Sequence, residues 1–110
     1  SSSLLGVLSQ RLIRLLCVAC KTPDPLHPGA WRAVGCSVCA QSGFRGRAAI
    51  CELLEVDHAM QALIHEGASE ARMRELAQRH GFKNMREDAQ RWLQAGSTSV
   101  DEVVRVTRDA

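Results

Sequence analysis

The chain has 110 residues, with 14 basic and 12 acidic side chains, a formal charge of +2, 4 % aromatic content and no tyrosine. That length allows one compact unit or two very small ones, with a core modest enough for a metal staple to matter. The charge and the scarcity of aromatic rings exclude a strongly basic nucleic-acid platform and a base-stacking surface, and no run approaches the ~20 apolar residues of a membrane-crossing helix.

The chain opens on Ser1-Ser2-Ser3 and runs at once into an apolar pattern, as a piece of a longer protein would. Leu5, Leu8, Leu12, Leu15 and Leu16 recur at helical spacing with Arg11 and Arg14 on the polar side, which predicts an N-terminal helix. Gln10, Arg11 and Arg14 break the stretch as a signal peptide. The helix is expected to deliver Cys17-Val18-Ala19-Cys20. A loop with Pro23, Pro25, Pro28 and Gly29 follows, holding a solvated His27. Then comes Cys36-Ser37-Val38-Cys39, with fifteen residues between the two pairs.

Two Cys-x2-Cys turns at this separation are the grammar of a four-thiolate zinc site. Each turn offers two sulfurs to one edge of a tetrahedron with Zn–S bonds of about 2.3 Å, and two turns close the shell. Such a site is structural rather than catalytic. Four thiolates and one Zn2+ bring the holo chain to about neutral. Two alternatives stay open: disulfides, and a thiol redox pair. Thiolate ligands fit a reducing cytoplasm. Cys51 stands apart in an apolar run and reads as a small buried hydrophobe.

The turn Ser42-Gly43-Phe44-Arg45-Gly46-Arg47 feeds Ala48 to Val56, whose first half is expected to be a short strand with Glu52 toward solvent. Four short helices should follow. Asp57 caps the first, which carries Met60, Leu63 and Ile64 and stops at Gly67. Ser69 caps the second, with Met73, Leu76 and Ala77, ended by Gly81. The third starts at Asn84 with Glu87 three residues on, buries Met85, Ala89, Trp92 and Leu93, and ends at Gly96. The last opens with a capping box of Ser99 and Glu102 and carries Val100, Val103, Val104 and Thr107. Charged residues such as Arg74, Glu87 and Asp88 read as a solvated face. His58, His65 and His80 are scattered and assemble no catalytic set, and neither Gly-x4-Gly-Lys-Ser/Thr nor Gly-x-Gly-x-x-Gly occurs.

The fold expected is α+β and mainly α: an N-terminal helix and a short strand around the four-cysteine site, then a small bundle of about four helices. The division expected is a tetracysteine subdomain over 1–56 and a helical subdomain over 57–110.

Five stretches carry a family resemblance: Gly6 to Cys17, Gly35-Cys36 to Cys39, Gly43 to Arg47, Glu52-Leu53-Leu54-Glu55-Val56-Asp57, and Gly96 to Arg108. In order, over nearly the whole chain, they resemble the C-terminal zinc-binding and helical region of bacterial type II secretion ATPases, the general secretion pathway E family. Type IV pilus assembly ATPases are near neighbours. The resemblance implies a structural and regulatory module of a hexameric motor on the cytoplasmic face of the inner membrane, driving pseudopilus assembly. Its ATP and Mg2+ site belongs to the parent protein, upstream, so this segment should not hydrolyse ATP alone. It implies Cys17, Cys20, Cys36 and Cys39 as ligands of one structural Zn2+. Arg45 and Arg47 would lie near nucleotide or a subunit boundary. Partners would be neighbouring subunits and inner-membrane platform proteins, with no nucleic acid. The loop between the cysteine pairs is shorter than in some relatives, which removes the basis for any contact that a longer loop makes. An independent zinc-ribbon module binding nucleic acid is the competing reading, disfavoured by the near-neutral holo charge.

Overall fold

The structure, a computed structural model, describes residues 4–110; the opening serines lie outside the described residues. Two thirteen-residue strands, β1 (Leu4–Leu16) and β4 (Phe44–Val56), form one long antiparallel hairpin. The loop between them carries both cysteine pairs and a small ribbon of β2 (Thr22–Pro23) and β3 (Trp31–Arg32). Helices α1 (His58–His65) and α2 (Glu70–His80) follow, then β5 (Phe82–Lys83), α3 (Met85–Gln94) and α4 (Val100–Thr107). The main sheet runs β1-β4-β5.

The N-terminal helix expected over Leu5–Leu16 is therefore a strand. Its leucines do recur at helical spacing, and a helix would satisfy the backbone locally. The ladder to β4 satisfies the same groups and also buries Ile13 and Leu16, at 0 % and 4 % exposure. A bulge at Leu8, between the Val7–Leu53 and Ser9–Glu52 pairs, shifts the strand's alternation by one residue. That shift lets Leu8 and Ile13, five apart, both face helices, and it blurs the period of two that marks a strand.

β4 also exceeds the short strand expected, and Glu52 turns inward. Ile50, Glu52 and Leu54 share parity, so the face that buries the two hydrophobes takes the carboxylate with them. Glu52 is satisfied there by the Ser9 hydroxyl and by Arg74 Nη2, the latter at 2.9 Å. These donors outweigh the effect of burial, which alone would raise its pKa, and hold the carboxyl below its ordinary range.

All four helices occur, and each expected cap forms. Asp57, Ser69, Asn84 and Ser99 accept from the backbone N–H three residues on, at 2.9, 3.2, 2.8 and 3.1 Å. The reciprocal box closes at Asn84–Glu87 and not at Ser99, because the Glu102 carboxylate is turned toward Arg14. Replacing Asn84 with alanine removes one capped donor, and an unfolding free energy about 1 kcal/mol lower is expected in urea titration; an unchanged midpoint would contradict the box.

The helices do not gather into one bundle. α1 packs on α2 and α3 on α4, and both pairs lie against the hairpin. One core joins Ile13 and Ile50 to Met85, Ala89 and Val103; the other joins Leu54 to Met60 and Ala77. Strands as long as any of the helices make the fold mixed α+β rather than mainly α. Asp88 leaves the solvated face assigned to it: it is 3 % exposed, accepting from the Cys51 N–H at 2.9 Å and from Arg91. Ile64 and Val104, counted in the apolar stripes, are exposed. On the side of the hairpin away from the helices, Leu5, Val7 and Leu12 are also exposed.

Candidate metal centre

Cys17 and Cys39 are buried, Cys20 and Cys36 half-buried, and the four sulfurs lie within 4.8 Å of one another. The separations Cys17–Cys36, Cys20–Cys39 and Cys36–Cys39 are 3.9, 3.9 and 3.8 Å. A tetrahedron with bonds of about 2.3 Å has sulfur–sulfur edges of about 3.8 Å. A disulfide would need about 2.05 Å. The donor set thus has the size and shape for one four-coordinate soft cation.

Both turns are built by local hydrogen bonds. After the first pair, the N–H groups of Cys20 and Lys21 donate to the Cys17 carbonyl at 3.3 and 3.0 Å. In the second, Gln41 N–H donates to the Cys36 carbonyl at 2.7 Å, and Ala40 and Gln41 take left-handed φ of 53° and 66°. Gly35 must be glycine: at φ 118° an added Cβ would lie 2.7 Å from the Gln41 carbonyl oxygen. Gly43, at φ 84°, has no room either, since its Cβ would meet that of Ala33 at 2.7 Å.

Backbone N–H groups point at the sulfurs. Gly35 donates to Cys20 Sγ at 3.3 Å, and Cys36 and Gly43 donate to Cys39 Sγ at 3.2 and 3.1 Å. Burial pushes the Cys39 thiol up, but the Cys36 and Gly43 N–H groups outweigh it and bring the pKa down to about 6. At Cys20 the Gly35 N–H works downward, and burial together with the neighbouring cysteines wins, pushing the thiol up to about 11. A cation bound by the four sulfurs would take them as thiolates and release the thiol protons.

The other candidates fall elsewhere. His27 pairs with Asp24 in the loop, Nδ1 to Oδ2 at 2.9 Å, away from the cysteines. Cys51, half-buried on β4, has no place in the cluster. Arg45 and Arg47 are exposed at the start of β4, around a second bulge where Gly46 has φ 80°. Neither makes an ion pair among the described residues. Arg14, opposite Arg47 in the ladder, lays its guanidinium 4.1 Å over the Phe44 ring and pairs with Glu102 Oε1 at 2.9 Å. Sequence reasoning missed Glu102 as an anchor, because its N3 position already suggested capping.

Comparison with known proteins gives one consistent result. The family described as type II/IV secretion system protein matches residues 1–105. The type II secretion system protein HxcR of Pseudomonas aeruginosa is 48 % identical over 110 residues, all of this chain and 23 % of the relative. The type II secretion system ATPase E of Vibrio cholerae is 43 % identical, again over all of this chain and 24 % of the relative. The type IV pilus assembly ATPase PilB of Thermus thermophilus is 38 % identical over 97 % of this chain and 14 % of its own length. The chain spans a quarter or less of the length of these curated relatives.

Proposed function

The chain belongs to the type II/IV secretion system protein family, and from that membership we propose that it is the tetracysteine and helical module of an ATPase that powers type II secretion. Its identity to HxcR over the whole chain is the observation that carries this reading. The 38 % identity to PilB keeps a pilus assembly ATPase as the second reading.

In this proposal Cys17, Cys20, Cys36 and Cys39 hold one Zn2+. Zinc there supplies folding free energy and leaves no open position for a substrate. ATP and Mg2+ are bound by the parent motor, whose phosphate loop is not among these 110 residues, so this segment contributes structure and regulation and no hydrolysis of its own. The parent works as a hexamer at the cytoplasmic face of the inner membrane. It is held there by platform proteins; no helix of the described residues is long and apolar enough to cross a membrane.

Arg45 and Arg47 are the groups we assign to nucleotide or to a neighbouring subunit. They are exposed cations beside a bulge, and guanidinium forks suit phosphate oxygens and carboxylates alike. The apolar face of Leu5, Val7 and Leu12 suits a neighbouring subunit. Residues 1–56 and 57–110 serve as tetracysteine and helical subdomains of one mechanical body, since the core around Ile13 and Ile50 takes side chains from both.

The test is an exchange of this segment into HxcR in place of the matching quarter, with secretion and bound zinc both measured. Secretion by the chimera is expected. A chimera that folds and holds zinc yet secretes nothing would overturn the proposal.

A further inference from the structure

The corner between α3 and α4 is held by residues of the cysteine loop and its approach. Lys21 Nζ donates to the Gly96 carbonyl at 2.7 Å, and the Leu16 N–H donates to the Ser97 carbonyl at 2.8 Å. Thr98 Oγ1 donates to the Arg14 carbonyl at 2.8 Å, and Thr98 is wholly buried. The Trp31 ring packs so closely on Gly96 that an added Cβ would lie 2.9 Å from its Cδ1. Lys21 also sits 4.9 Å over that ring.

Each of these contacts has a physical role. Gly96 follows the C-terminal turn of α3, where carbonyls lack partners inside the helix and the dipole is negative. Lys21 therefore acts as a C-terminal cap supplied from another part of the chain. Its own position depends on the first cysteine turn, through its N–H bond to Cys17. Trp31 lies between the cysteine pairs, on a two-residue ribbon too short to be stable alone. Beyond the corner, Ser99 caps α4, and α4 carries Glu102, which holds Arg14.

We propose that metal occupancy of the cysteine cluster controls the order of the α3–α4 corner, because Lys21 and Trp31 grip Gly96 only when the loop is folded around its cation. This rests on the zinc reading above. Loss of the ion to a chelator then reaches α4, and through Glu102 the Arg14–Phe44 stack beside Arg45 and Arg47, without any change at the arginines themselves.

The experiment is hydrogen exchange on the reduced chain, with zinc content measured on the same sample before and after a chelator. Removal of zinc is expected to speed exchange over residues 96–104 together with 17–43, while α1 and α2 keep their protection. Trp31 emission, isolated in a Trp92→Phe background, should shift to the red in parallel. Lys21→Met should keep one zinc per chain and still speed exchange over 96–104 about five- to tenfold, the size of a lost charged cap. Zinc loss that leaves 96–104 protected would overturn the inference alone. Equal loss of protection in α1 and α2 would also overturn it, by showing general unfolding. A reduced chain that holds no zinc would overturn both this inference and the zinc reading.

Discussion

Cys36→Ser is expected to drop bound zinc from one ion per chain to nearly none and to open residues 17–43 to proteolysis. Cys36 Sγ lies 3.9 Å from Cys17 Sγ and 3.8 Å from Cys39 Sγ, so it joins the two turns. A hydroxyl there is a poor ligand at neutral pH, and a three-sulfur remainder leaves the shell open. Structural zinc is worth about 10–16 kcal/mol of apparent binding free energy in peptide models, much of it folding free energy. No single side chain in the core carries an effect of that size. Elemental analysis, limited proteolysis and the melting temperature together read the outcome. Cys51→Ser is the matched control and should retain the ion, because Cys51 stands outside the cluster. Stoichiometric zinc with an unchanged melting temperature in Cys36→Ser would refute the site.

The second large effect is expected at Glu102, which is 1 % exposed and accepts from two arginines. Arg14 donates its backbone N–H at 2.8 Å and Nη2 at 2.9 Å, and Arg105 donates Nε and Nη2, each at 2.9 Å. Glu102→Ala leaves the Arg14 backbone N–H without its partner and two guanidinium groups without an anion. Both guanidinium groups are about half exposed and can turn to water, so a cost of about 3 kcal/mol is expected, at the low end for a broken buried pair.

The same carboxylate sets a pH dependence. Burial alone would raise its pKa, but the Arg105 and Arg14 donors outweigh it and pull it from 4.5 down to about 2. A folded pKa below the unfolded one gives stability that is complete above about pH 4.5 and is lost as the pH falls toward 2. Glu102→Gln keeps the shape and removes the titration. The stability difference between the natural chain and Glu102→Gln should therefore shrink between pH 5 and pH 2.5 in urea titrations. A difference that stays constant over that range would show that Glu102 is not the titrating anchor.

What was legible in the sequence depended on short range. The clustered cysteines lie three apart within each pair, and each helix cap acts on an N–H three residues ahead. Asp57, Ser69, Asn84 and Ser99 could thus be read as starts with no knowledge of the rest of the fold, and all four hold. The two cysteine pairs needed only their spacing to announce one cluster, and the four sulfurs do converge. Family membership was legible for a related reason: short motifs such as the second cysteine pair and Gly43 to Arg47 stand in order along the chain.

Tertiary structure decided whatever depended on a partner far along the chain. Leu4–Leu16 is a strand because β4, some forty residues on, offers a ladder and a buried face, while its leucine spacing alone is satisfied by a helix. Glu52 faces inward because Arg74 and Ser9 are there to meet it. Glu102 forgoes its local cap because Arg14, 88 residues away, presents three donors to it. Local hydrogen-bond geometry is written in neighbouring residues. The choice between two ways of satisfying the same backbone or carboxylate is made by whichever distant group removes more apolar surface and more unpaired charge from water.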